Sequence, residues 1–237
     1  MAEVRIGELA ESVLAAGAIA GVVVLSPLLH PWYRRWGATE QELREGLPGD
    51  GQVPSPRIET TRAITITAPA ERIWPWLVQM GQGRGGLYSY EMLENLIGSD
   101  IHNADRILAE YQHLEVGDKV RIGPEGYPFF TVVGVEPNRA LVLAGGPQPP
   151  EDDAVLWSWA FVLEEKSPGS TRLIIRNRTD YPPSLGNLLV WRVFTDPIAF
   201  VMERKMLRSI KARAESVSAG SKLPVQRLSS SARGGEQ

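Results

Sequence analysis

The sequence predicts an α+β domain in which a curved antiparallel sheet wraps around one long C-terminal helix, with a separate hydrophobic helix near the N-terminus. Three observations lead there. Segments of alternating polarity crowd between Leu114 and Tyr181, with turn residues between them. An earlier strand and two short amphipathic stretches precede that run. Apolar residues then recur at helical spacing from Leu185 to Ser216. Strands and helices are therefore segregated along the chain, as in α+β folds, and do not alternate as in βαβ units.

The elements follow in order. Val13 to Leu29 runs 17 residues without a charge. As a straight helix it would span about 26 Å, slightly less than the ~30 Å hydrocarbon core of a bilayer. The net acidic segment before it (Glu3, Glu8, Glu11 against Arg5) and the lack of a small-x-small site before "HPWYRRWG" argue against a cleaved signal peptide. Trp32, Tyr33 and Trp36 suit a membrane interface, and Arg34 and Arg35 favour a cytoplasmic downstream side. Residues 1–36 are thus expected to anchor the protein to a membrane, the rest facing the cytoplasm. The alternative is an Ala/Gly-rich helix packed on the domain.

Residues 37–56 are rich in Pro, Gly and acidic side chains and read as a linker. In "ETTRAITITAP" Thr61, Ala63, Thr65 and Thr67 share one strand face, and Arg62, Ile64 and Ile66 the other, ending at Pro69. "AERIWPWLVQM" and "YSYEMLENLIG" follow as short helices. A restart of the last helix is expected at Asp196-Pro197, an N-cap followed by proline. Residues 57–216 are expected to form one domain and the Ser/Gly-rich residues 217–237 a disordered tail.

Composition narrows the chemistry. A net charge of −3 offers no electrostatic reason for a nucleic-acid partner. With no cysteine, thiolate metal sites, disulfides and a Cys nucleophile are excluded, and three histidines leave little material for a metal centre. Gly81, Gly83 and Gly86 fit a G-x-G-x-x-G pattern, but a helix precedes them where a dinucleotide turn needs a strand. No nucleotide, cofactor or metal is expected. The glycines read instead as a hinge between two helices.

The segments "ITITAPAERIWPWLVQMGQGRGGLYSYEMLENLIG", "IHNADRI" and "DPIAFVMERKMLRSIKARAE" resemble bacterial members of the START/polyketide cyclase-dehydrase (SRPBCC) superfamily. The resemblance covers roughly Arg57 to Glu215. It implies a helix-grip fold with a deep cavity between sheet and C-terminal helix, used across the superfamily for lipids, sterols, polyketides and other hydrophobic ligands. It implies no particular reaction, since a shared fold does not fix an activity.

Several residues are candidates for that cavity. In "GSDIHNADRI", His102 poised by Asp100 would serve as general acid or base. The competing reading has Asp100, Asn103 and Asp105 capping a turn. Tyr88, Tyr90 and Glu94 follow the glycines and either meet a ligand or pack locally. Trp157, Trp159 and Phe161 alternate on one strand face, lining a cavity or filling a core, and Trp76 lies on the inner face of its helix. Arg176 either points inward to a buried acid or ligand carboxylate, or outward with Arg178 into solvent. The expected function is binding of a hydrophobic small molecule or lipid. An enzyme of cyclase, dehydratase or hydrolase type using His102 or nearby carboxylates is the alternative, and a third class is an interaction module whose interior is filled by its own side chains.

Overall fold

The computed structural model describes residues 2–147 and 154–216; the tail expected over 217–237 lies outside the described residues. Six antiparallel strands form one sheet in the order β1-β6-β5-β4-β3-β2. They are β1 (Ile58–Ile66), β2 (Lys119–Arg121), β3 (Phe129–Glu136), β4 (Ala140–Gly145), β5 (Leu156–Ser167) and β6 (Ser170–Asp180). Only β1 is displaced from chain order, so the first strand closes one edge beside the last. A register shift between Val132 and Gly134 interrupts the β3–β4 ladder, as bulges do where a sheet bends.

One face of the sheet holds the core. From β1, β5 and β6 it presents Ile66, Phe161, Leu173 and Ile175, which pack against α3 (Ala70–Val78) and α6 (Asp196–Ser216). α3 contributes Ile73, Trp76 and Leu77; α6 contributes Met206, Leu207, Ile210 and Ala214. This is the helix-grip arrangement: a bent sheet closed on one long helix. α6 does not restart at an N-cap. Asp196 is itself helical (φ −63°, ψ −45°), and a short helix α5 (Leu185–Leu188) and a π-helical stretch (Leu189–Thr195) run into it. The wider turn accommodates Pro197, which has no amide to donate.

The other face is covered by residues 37–56, whose composition suggested a linker. Thr39 and Glu42 form a reciprocal capping box that starts α2 (Glu40–Arg44). Glu42 then ion-pairs with Arg172 of β6 at 2.7 Å. Gly49, at φ 94°, approaches so closely that a Cβ there would lie 2.6 Å from Val142 Cγ1. Leu47, Ala63, Val162 and Ile174 form a small second core beneath this strap.

The N-terminal apolar helix α1 (Ala2–Tyr33) lies along α6. Ser12, Ala15, Ser26 and Tyr33 are buried, and Ile19, Val22 and Leu29 are half-buried. Positions 12, 15, 19, 22, 26, 29 and 33 alternate steps of three and four, the seam of shallow-angle helix packing. The opposite side carries Val13, Leu14, Val24 and Leu28, each more than half exposed.

Candidate functional site

A cavity of about 480 Å³ lies between the sheet, α4 (Glu91–Leu96) and the start of α6. Its walls are mainly apolar: Ile101, Phe130, Trp157, Trp159 and Met202 among them. Ile97 and Ile198 line it and are also well exposed, which places the opening between the end of α4 and the first turn of α6. Trp191 of the π-helical stretch sits beside this opening, stacked on Tyr181 with ring centroids 6.2 Å apart and facing Trp157 at 6.3 Å.

One end of the cavity is a buried charge network. Arg62 of β1 points to the core side, as its strand phase with Ile64 and Ile66 requires, and is 1% exposed. Its guanidinium donates to Glu203 and to the Tyr33 carbonyl (2.9 Å), and lies 3.5 Å from Asp196. Asp196 also accepts from Arg34 Nε at 2.7 Å and from the Tyr33 hydroxyl at 3.2 Å. The remaining oxygen of Glu203 takes Asn177 Nδ2 at 2.6 Å. Two arginines thus meet two carboxylates, although Arg34 Nη2 is buried without a hydrogen-bond partner. The last turn of α1 is part of it.

The other polar groups in the wall are less well satisfied. Glu94 is 6% exposed, its Oε2 has no hydrogen-bond partner, and burial followed by the nearby Glu91 charge pushes its pKa up to about 7. Trp159 Nε1 and Thr60 Oγ1 are also buried without partners. All three residues line the cavity.

The sequence candidates separate on this geometry. Glu94, Trp157 and Trp159 line the cavity, whereas Phe161 and Trp76 are core residues. Tyr88 packs edge-on against Trp76 at 5.8 Å and under the Arg213 guanidinium, burial raising its phenol to about 12. Tyr88 and Tyr90 line a different hollow of about 630 Å³ between α1, α4 and α6, where Glu11 pairs with Lys205. Arg176 does not line the cavity and is not solvated; it is buried and paired with an acid. It points to the other face, 3% exposed, donating to Asp50 (2.9 Å), to the Glu42 and Glu45 carbonyls and to Thr61.

His102 and Asp100 lie outside the cavity. The imidazole is 74% exposed, with Nδ1 3.0 Å from Glu91 Oε1 and Nε2 3.5 Å from Asp100 Oδ1; the hydrogen bond to Glu91 raises its pKa. The surrounding loop is structural. Asn103 accepts from the Tyr88 amide and donates to the Ser89 carbonyl, and its own amide donates to Glu91. Asn95 brackets both backbone groups of Ile101. Gly81 and Gly86 exchange backbone hydrogen bonds, and a Cβ on Gly86 (φ 77°) would sit 2.6 Å from the His102 carbonyl. The glycines therefore close a tight loop that seats the "IHN" segment.

Residues missed from the sequence are Thr60, Arg62, Asn177, Asp196 and Glu203. One signal was available: Arg62 shares an otherwise apolar strand face with Ile64 and Ile66, and such a charge needs a buried partner. Asp196 and Glu203, seven residues apart on one helix face, supply it.

No family model and no curated protein matches the chain. Among solved structures, an aromatase/cyclase from a Streptomyces species is similar over 68% of this chain and 95% of its own, at 15% identity and TM-score 0.38. A protein from Nitrosospira multiformis aligns over 69% of this chain and all of its own (13%, TM-score 0.42), and the Aha1 dimer from Colwellia psychrerythraea over 62% and 93% (16%, TM-score 0.36).

Proposed function

We propose that the chain binds a hydrophobic small molecule or lipid in the cavity between the sheet and α6, close to a membrane held by α1. The observation that carries this reading is the combination of apolar walls, a volume of about 480 Å³ and an opening rimmed by exposed apolar side chains. Sites for small hydrophobic molecules have this form, with volumes of about 300–1,000 Å³ and few polar groups. Burial of ligand surface, at about 25 cal/mol per Å², would supply most of the affinity.

The membrane part rests on α1. Leu9–Ser26 is long and apolar enough to cross a bilayer, as is the helical stretch Leu185–Ser216. The exposed apolar side of α1 calls for a nonpolar covering, and lipid suits a face that bears no charge from Val13 to Leu29. Arg34 and Arg35, which follow the apolar stretch, favour a cytoplasmic side for the domain in this reading.

A second reading keeps the cavity and makes the protein an enzyme of cyclase, dehydratase or hydrolase type. Glu94, and no longer His102, is then the acid–base group, because a carboxyl with a pKa of about 7 suits proton transfer at neutral pH. Native mass spectrometry of protein purified from membranes, with extraction of the bound species, tests both. A hydrophobic molecule recovered unchanged after incubation supports the binder, and its conversion supports the enzyme. Protein free of ligand from every membrane extract refutes the binding reading.

A further inference from the structure

Two sets of polar groups stand out in the cavity wall. Arg62, Asn177, Asp196 and Glu203 satisfy one another, as described above. Thr60 Oγ1, Trp159 Nε1 and Glu94 Oε2 are buried without a hydrogen-bond partner. Thr60 and Trp159 both stand opposite Asn177 of β6, so the two occupy one row across three strands. At about 4.8 Å per strand spacing, their Cα atoms are roughly 10 Å apart on the cavity side of the sheet. Glu94 reaches the same cavity from α4. Buried polar groups left unpaired are costly, so a partner in the bound state is the natural explanation of three in one apolar cavity.

Their chemistry restricts that partner. The indole N–H only donates, so the ligand must accept there; the threonine hydroxyl does either. Glu94 donates when neutral and accepts when charged. An alcohol oxygen meets every one of these requirements, and a carbonyl meets the donors. An anion does not: among the described residues that line the cavity Arg62 is the one cation, and its charge is already held by Glu203 and Asp196. A carboxylate or phosphate would be buried beside Glu94 without a counter-charge.

We infer that the cavity selects neutral amphiphiles, an alcohol or carbonyl on an apolar frame, over fatty-acid anions and phosphate headgroups, with Glu94, Trp159 and Thr60 meeting the polar end. This rests on the binding reading proposed above. The test is calorimetric titration of the delipidated full chain, held in amphipol at pH 8, with 1-dodecanol and with dodecanoate. The alcohol is expected to bind at least tenfold more tightly. Glu94→Gln should narrow the gap by tightening dodecanoate, and Trp159→Phe should weaken dodecanol about fivefold, the loss of one neutral hydrogen bond. Dodecanoate binding as tightly as dodecanol in the wild-type chain overturns the selectivity and leaves the binding reading standing. Saturation by neither probe overturns both.

Discussion

Glu94→Gln isolates the energetic consequence of burying an acid in the cavity wall. In the unfolded chain the carboxyl titrates near 4.5, and in the folded protein near 7, because burial and the Glu91 charge disfavour ionisation. Between these values the folded state keeps a proton that the unfolded state has lost. Stability contributed by the neutral acid is therefore fully present below pH 4.5 and declines as pH rises through about 7. The full difference is about 3 kcal/mol, at 1.36 kcal/mol for each unit of separation. Gln has nearly the same shape and no charge. The variant should match wild type near pH 4.5 and exceed it by up to about 3 kcal/mol at pH 8.5, or about 6–12 °C in Tm for a domain of this size. Thermal unfolding followed by circular dichroism across pH 4.5–8.5 measures this, and taking the difference between the two proteins cancels titrations they share. A difference independent of pH would refute the reasoning, since it would mean that Glu94 ionises in the folded protein as easily as in the unfolded chain.

Other perturbations probe the parts of the fold that frame the cavity. Glu203→Gln removes one charge from the buried network and leaves Asp196, at 3.5 Å, as the one carboxylate paired with the buried Arg62, so a loss of about 3 kcal/mol in urea unfolding is expected. Arg176→Ala frees the strap over the outer face by removing its anchor to Asp50 and two strap carbonyls; limited proteolysis should then cut between Gly46 and Gly51, with about 2 kcal/mol of stability lost. His102→Ala removes only exposed contacts to Glu91 and Asp100, and should change stability by less than about 1 kcal/mol and leave ligand affinity unaltered. A large loss of binding in that variant would restore the histidine to the site.

Much of the architecture was legible because periodicity reports burial directly. The alternation in β1 was read with the correct faces, and the apolar spacing of α6 was read as the gripped helix. What escaped were features created by non-local pairing. Residues 37–56 look like a linker because their charges have no partner nearby in sequence. Their partners, Arg172, Arg176 and Arg178, lie more than a hundred positions away on β6. The same holds for Asp196, which looks like an N-cap in sequence because Asp-Pro is a common helix start, yet its carboxylate answers two arginines from β1 and the end of α1. For the cavity, Trp157, Trp159 and Glu94 could be named, but nothing local distinguished a lining tryptophan from a packed one such as Trp76. His102 drew attention by residue type alone, and its exposure removes it from the cavity.

The end of α1 ties the two halves of the functional proposal together. A simple tether would leave the domain's core intact when cut, because its contacts would end before the first strand. Here Tyr33 is fully buried, stacks on Phe200 at 5.5 Å and gives its carbonyl to Arg62, while Arg34 pairs with Asp196. Arg62 and Asp196 also line the cavity. The helix that presents an apolar face outward therefore backs the cavity's end wall, holding Arg62 and Asp196 through its last turn. In any position of the proposed anchor, that last turn must stay docked, or a buried arginine and a buried aspartate lose partners at a cost of several kcal/mol. The proposed anchor and the cavity are thus one structural unit, and the opening beside Ile97 and Ile198 keeps a fixed relation to the end of the helix.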